Sequence, residues 1–343
     1  MNYCIVTIDT EAHRGENPVD QFIFGKTVDG ECYGIDFIMD FCEKYNCKGL
    51  FFVDVAEIWD YGLESIRDVM HRISKRGHDI GVHVHPDHMA DPKRKFLYQY
   101  SYGEQKDILC KCTQKYEDII GHPPVAFRAG KYSANRDTLD IISELGYLYD
   151  FSEFYGNRWC GIIPPITADL PCRYKGLVEF PVTSCKIIEI GSVKKFEKLD
   201  LEMNSFGFNT IVDMIKRKDV YVASLFLHSF SFVTRDNIYK TQKNATTLKY
   251  AERNIEKCIN SGMRIISLSD ISEIIDSGSI ALSGNPEGSS LKIVNPFTCY
   301  LVLLLTSCRI IKTNKKALLF VMINVIVLIC ILLLSINCVR YVL

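Results

Sequence analysis

Gly77-His78-Asp79-Ile80-Gly81-Val82-His83-Val84-His85-Pro86 is the stretch on which the fold turns. It is a short apolar run stopped by a proline, so residues 79–85 read as a β-strand. Residues two apart in a strand point to one face, which brings the imidazoles of His83 and His85 together at the strand's C-terminal end. One metal ion could hold both there; two surface histidines without a metal fit the same pattern. Just before this strand lies a helix-period stretch, 63–75. Outward from it, strand candidates at 3–8, 49–53, 125–128, 147–151, 177–182, 220–228 and 263–268 alternate with amphipathic stretches at 34–45, 103–120, 136–145, 210–216 and 247–260. This alternation predicts an α/β fold in which helices cover a parallel sheet, arranged as a closed or nearly closed β/α barrel.

In such barrels the chemistry sits where the strands end. Several strands here end on polar, reactive side chains: Asp9, His85, Arg128, Asp150 and His228. Thr7-Ile8-Asp9-Thr10-Glu11 offers two carboxylates two residues apart, suited to a metal ligand and a general base or, equally, to a helix cap or a solvated loop. His83 and His85 form the second group, with Asp87 and His88 in the loop beyond. Arg128-Ala129-Gly130-Lys131-Tyr132 offers a guanidinium that can orient a carboxylate and a glycine that lets the backbone approach a ligand closely. Leu227-His228-Ser229 ends a long apolar run in a histidine. Each group alone has a bland reading; together, at one rim, they have the layout of metal-assisted hydrolysis.

The order and surroundings of these motifs resemble the polysaccharide deacetylases, carbohydrate esterases that remove acetyl groups from N-acetylated sugars. The resemblance runs over about residues 3–270 and rests on Thr7-Ile8-Asp9-Thr10-Glu11, Gly77-His78-Asp79-Ile80-Gly81-Val82-His83, Phe127-Arg128-Ala129-Gly130-Lys131-Tyr132 and Leu227-His228-Ser229-Phe230. It implies a distorted barrel of about seven β/α units. It also implies a divalent ion, with zinc the expected identity, held by Glu11, His83 and His85. By analogy Asp9 is the base that takes a proton from the attacking water, His228 the acid that protonates the leaving amine, and Arg128 the group that holds Asp9. Gly130 and Tyr132 become substrate-binding residues, a backbone N–H near Tyr132 facing the oxyanion. The sequence departs from the family pattern in four places. Thr10 separates the two acidic residues, whose roles are open to exchange. Asp87 stands where the family has its second histidine, which makes it the alternative third ligand. Gly130 replaces a proline. The motif with an aspartate and a tryptophan has no counterpart, since Trp59 and Trp159 lie elsewhere. Two rival readings follow: an amide hydrolase for a non-sugar substrate, and an inactive, membrane-tethered sugar-binding protein.

Composition narrows the setting. The chain has 343 residues, 48% hydrophobic and 24% charged, enough for a sizeable core. Before Pro296 there are 35 basic against 41 acidic residues, a mildly acidic body that does not suggest nucleic acid as a partner. The 14 cysteines show no metal-binding spacing and read as free thiols, which favours a reducing compartment. The chain start reads as a first strand and not as a signal peptide. Residues 277–295 have linker composition, dividing a catalytic domain (1–276) from a C-terminal membrane anchor (296–343). Within the anchor, 317–339 carries no charge for about 23 residues, the length of a transmembrane helix. Lys312, Lys315 and Lys316 flank that span and favour a cytoplasmic catalytic domain, because Arg309 opposes a second span over 297–311. The expected partners are therefore membrane lipid and an N-acetylated sugar or lipid-linked glycan precursor, met before export.

Overall fold

In the computed structural model, which describes residues 1–190, 193–218, 221–234, 241–284, 286, 287, 291–293 and 298, the apolar run that opens the chain forms a strand buried along its whole length. The elements follow as β1 (Tyr3–Thr10), α1 (Ile35–Lys44), β2 (Gly49–Asp54), α2 (Ile58–Tyr61), α3 (Leu63–Lys75), β3 (Asp79–Val84), α4 (Tyr102–Ile120), β4 (Ala126–Ala129), α5 (Arg136–Glu144) and β5 (Tyr149–Asp150). Then come β6 (Cys172–Tyr174), β7 (Leu177–Glu179), β8 (Ser184–Ile190), β9 (Val193–Lys198), α6 (Ser205–Ile215), β10 (Val222–His228), β11 (Val233–Thr234), β12 (Gln242–Lys243), α7 (Ala245–Asn260), β13 (Arg264–Ile265) and α8 (Leu268–Asp276).

The main sheet has the order β10-β1-β2-β3-β4-β5-β7-β6, with β13 added beside the start of β1. It is parallel from β10 to β7, and β6 returns antiparallel. The expected barrel is thus a curled sheet whose outer strands do not pair as a continuous ladder. The strand expected over 177–182 stops at Glu179, two residues before Pro181, which has no N–H to give a ladder. Between β7 and β10 the gap is crossed by irregular backbone: Leu199 N–H donates to Thr183 C=O at 2.8 Å, and Leu201 N–H to Phe226 C=O at 3.0 Å. The β8–β9 hairpin rises from this crossing.

Inside the curl, alternate residues of each strand face one core. Tyr3, Ile5, Leu50, Phe52, Ala126, Tyr149, Phe151 and Val222 form its apolar floor. Gly81 belongs to this packing, since a Cβ there would meet the Phe52 ring at 2.6 Å. The rest of that motif is scaffold. His78 Nδ1 accepts the Gly49 N–H at 3.0 Å and pins the start of β2; Asp79 Oδ2 accepts the Leu268 N–H at 2.8 Å and caps α8. Residues 1–292 form one compact unit and 293–343 another. Within the stretch expected to be a linker, Ile280 and Leu291 are buried. The expected span 317–339 lies outside the described residues, as does 297–311 apart from Thr298. Among the described residues no helix is long and apolar enough to cross a membrane. The described cysteines form no disulfide.

Helix α4, which covers β3, starts with a reciprocal cap. Ser101 accepts the Glu104 N–H, and Glu104 accepts the Ser101 N–H at 2.8 Å. Arg94, followed by the Ser101 hydrogen bonds, holds the Glu104 carboxyl at about 2 against an ordinary 4.5. The folded value lies below the unfolded one, so this contribution is complete above 4.5 and is lost as pH falls toward 2. Glu104→Gln should therefore be less stable than the parent at neutral pH in urea unfolding, and the gap should close over that acid range. A gap that persists undiminished to pH 2 would remove the cap from the account.

Candidate functional site

The floor residues are followed, one inward-facing layer higher, by polar ones. Arg128 on β4 is fully buried, with its guanidinium 4.3 Å from the Phe52 ring centre. It donates to Asp9 Oδ1 at 2.7 Å, Thr7 Oγ1 at 3.1 Å, Ser224 Oγ at 3.5 Å and the Phe151 carbonyl at 3.2 Å. Burial pushes the Asp9 carboxyl up, but Arg128, His83 and His228 outweigh it and hold Asp9 below the usual carboxylate range. Asp9 is therefore an ionised, immobilised carboxylate. The register of β1 against β10 sets Asp9 directly beside His228.

The next layer holds Glu11, His83 and His85. One donor atom from each lies within 4.8 Å of the others. Strand β3 ends at Val84, but His85 stays extended (φ −98°, ψ 104°) because Pro86 disfavours a helical conformation before it. Both rings therefore keep to one face. His83 gives its Nδ1–H to the Arg128 carbonyl at 2.8 Å, and its buried Nε2 has no hydrogen-bond partner, with Glu11 Oε2 standing 3.5 Å away. His85 Nε2 lies 2.6 Å from Glu11 Oε2, and its Nδ1 lies 2.9 Å from Lys131 Nζ. With Lys131 donating to Nδ1, the His85 proton sits on Nε2; ligation through Nε2 requires that proton to leave and Lys131 to turn away. Burial raises the Glu11 carboxyl, but the two histidines overcome it and hold it well below its ordinary value. An orphaned imidazole nitrogen, a second imidazole and a carboxylate fit a divalent ion that prefers nitrogen and oxygen donors, as zinc does. Asp87, the alternative third ligand, is outside this group and stands on the cavity wall 4.0 Å from Arg14.

His228 lies flat against Phe230 (centroids 4.7 Å apart, planes at 17°), with Nε2 3.9 Å from Glu11 Oε1 and Nδ1 3.9 Å from Glu202 Oε1. Gly130 has a different place from the one expected. Its Cα packs against the His85 ring, where a Cβ would meet Cδ2 at 2.6 Å, and it does not line the cavity. The missing side chain makes room for a histidine and not for a ligand. Tyr132 does line the cavity, in a left-handed conformation (φ 57°) that it shares with Lys131 (φ 54°).

Three further residues beside the site were assigned no role from the sequence. Lys198, at the end of β9, lies 3.1 Å from the Phe226 ring centre; burial lowers its pKa against the pull of Asp200 and Asp9. Glu202 stands behind His228 and accepts a hydrogen bond from Ser231. Trp159, read from sequence as misplaced, lines the cavity and adjoins the Phe96–Tyr98 stack.

Residues 33–149 match the family profile of polysaccharide deacetylases. A peptidoglycan deacetylase-like protein of Gibberella zeae is 43% identical over 49 residues, a match that spans 14% of this chain and 14% of that protein. Among solved structures, the chain is similar to one assigned as a polysaccharide deacetylase from Mycobacterium smegmatis (TM-score 0.53, 17% identity, 82% of this chain and 92% of that one). It is also similar to the PuuE allantoinase (TM-score 0.51, 13% identity, 80% and 90%). At these identities the two structures establish a shared fold.

The Arg128–Asp9 pair is open to a double-mutant cycle. Removing one partner leaves the other charge buried and alone, at a cost of about 3–5 kcal/mol. Arg128→Met and Asp9→Asn should each destabilise the chain on that scale in denaturant unfolding. The double variant should lose clearly less than the sum of the two. Strict additivity would mean that the pair is not coupled.

Proposed function

We propose that this chain, whose residues 33–149 match the polysaccharide deacetylase family, hydrolyses the acetamide of N-acetylated sugars with a divalent metal ion, zinc by the chemistry of its donors. The observation that supports this reading best is the convergence of Glu11, His83 and His85 beside an ionised, Arg128-anchored Asp9 and the neighbouring His228. An ion held by those three side chains would supply Lewis-acid polarisation of water and of the acetyl oxygen.

The chain's own residues account for the proton movements. Asp9 accepts a proton from the attacking water, whose oxygen bonds to the acetyl carbon. Arg128 engages only Oδ1, so the other carboxylate oxygen is left for that proton. His228 delivers a proton to the amide nitrogen as the C–N bond breaks, giving acetate and a free amine. Glu202 is placed to orient the imidazole through Nδ1. Trp159, with Phe96 and Tyr98 behind it, offers the apolar face against which a sugar ring packs, and Tyr132 lies across the same cavity.

The substrate we favour is a lipid-linked glycan precursor at the cytoplasmic face of a membrane, with the chain anchored by 317–339. The uncharged span, its flanking lysines and the lack of disulfides among the described cysteines support that placement. Protease added to intact cells should spare the catalytic domain, and its digestion while cytoplasmic markers survive would refute the orientation. Acetate release from N-acetylated sugars and glycan precursors tests the activity. Asp9→Asn should remove nearly all turnover, and His228→Ala should slow it about 10²–10⁴-fold. Full turnover in either variant would overturn that residue's role, and release from small non-sugar amides alone would overturn the substrate class.

A further inference from the structure

We propose that the chain holds a second divalent transition-metal ion, of the zinc class, between Asp54, Glu57 and His88. None of these is a ligand of the first group. Asp54 ends β2, and Glu57 sits in the 3-10 turn Val55–Glu57 that follows it. Both are fully buried, and among the described residues neither pairs with a lysine or an arginine. Each carboxylate has one oxygen in use. Asp54 Oδ1 accepts the Ala56 N–H at 3.1 Å and the His85 N–H at 3.3 Å, while Glu57 Oε1 accepts the Ala12 N–H at 2.5 Å. The other oxygens, Asp54 Oδ2 and Glu57 Oε2, are buried with no hydrogen-bond partner.

The third member completes a donor set. His88 Nδ1 lies 2.6 Å from Asp60 Oδ2, so the imidazole gives its proton to that carboxylate and turns the lone pair of Nε2 inward. Nε2 is 3.9 Å from Asp54 Oδ2. One donor atom from each of Asp54, Glu57 and His88 lies within 4.8 Å of the others. A histidine oriented from behind by a carboxylate is the arrangement that metal-ligating imidazoles use to fix their tautomer. Two buried carboxylates with orphaned oxygens take up either a cation or a shared proton, and for a cation nitrogen with two carboxylates suits zinc better than calcium or magnesium.

The position gives the ion a task. The oxygens opposite the ion hold the N–H groups of His85 and of Ala12, which follows Glu11. A cation at the second site therefore fixes the carboxylates that fix the backbone carrying two ligands of the first. The inference stands apart from the proposed reaction, because metal content reads each site separately.

The test is zinc content of the full chain, loaded with Zn²⁺, desalted and measured by elemental mass spectrometry. The parent should retain about two ions per chain, and His88→Ala and His83→Ala about one each. His88→Gln, checked by far-UV circular dichroism, guards against misfolding of the alanine variant. Zn²⁺ added to metal-free His83→Ala should raise its Tm, and should leave that of His83→Ala/His88→Ala unchanged. Asp60→Asn should weaken zinc binding at the second site about 10–100-fold. His88→Ala retaining as much zinc as the parent overturns the second site, in favour of a proton shared by the two carboxylates. If the parent holds about one ion and only His83→Ala loses it, the second site fails and the first stands; if only His88→Ala loses it, the first fails and the second stands.

Discussion

The buried guanidinium of Arg128 is the constraint to which the rest of the site answers. A full charge at the centre of an apolar curl is costly to desolvate, and it is held there by complete engagement. Its donors reach side chains on β1 and β10 and a carbonyl just beyond β5, while its own backbone belongs to β4. One side chain thus ties four strands of the sheet at a single height. The same residue's carbonyl takes the Nδ1 proton of His83. Arg128 therefore sets the ionisation of one reactive group through its side chain and the tautomer of another through its main chain. A lysine could not repeat this, because the fork is planar and engages several acceptors at once.

Above that layer the site depends on close packing as much as on charge. Gly81 admits the Phe52 ring and Gly130 admits the His85 ring, each at a distance that a methyl group would forbid. Phe52 in turn lies under Arg128. The apolar floor, the ion pair and the histidines are consequently one stacked column, and a volume change low in the core is felt at the ligands.

How much of this the sequence disclosed depends on where each residue sits. Asp9, His83, Arg128 and His228 end apolar runs, and strand periodicity alone aims them at one rim. His85 could be placed because its spacing from His83 is that of a strand. A glycine beside reactive residues suggests a ligand, and no pattern in the sequence announces that Gly130 packs against the His85 ring. The Gly77–Gly81 lead-in resembles the family most closely, yet His78 and Asp79 work on β2 and α8 and not on the site. Lys198, Glu202 and Trp159 were invisible for a physical reason. They sit at or beyond the ends of a hairpin and in a loop, where no repeating pattern announces which way a side chain points. Asp54 only closes β2, and it is the fold that brings Glu57 and His88 to it.

The pairing of Asp9 with His228 across adjacent parallel strands carries one more meaning. Neighbouring strands are spaced by about 4.8 Å, a length set by backbone hydrogen bonds and shared by every sheet. The proposed proton acceptor and donor are mounted on that ruler, so no loop movement can draw them apart or press them together. Such a gauge suits a bond whose attacked atom and departing atom are direct neighbours, as carbon and nitrogen are in an amide. The chemistry is thereby dimensioned by the ladder, while the walls that choose the substrate hang on segments outside it and are free to change without disturbing the measure.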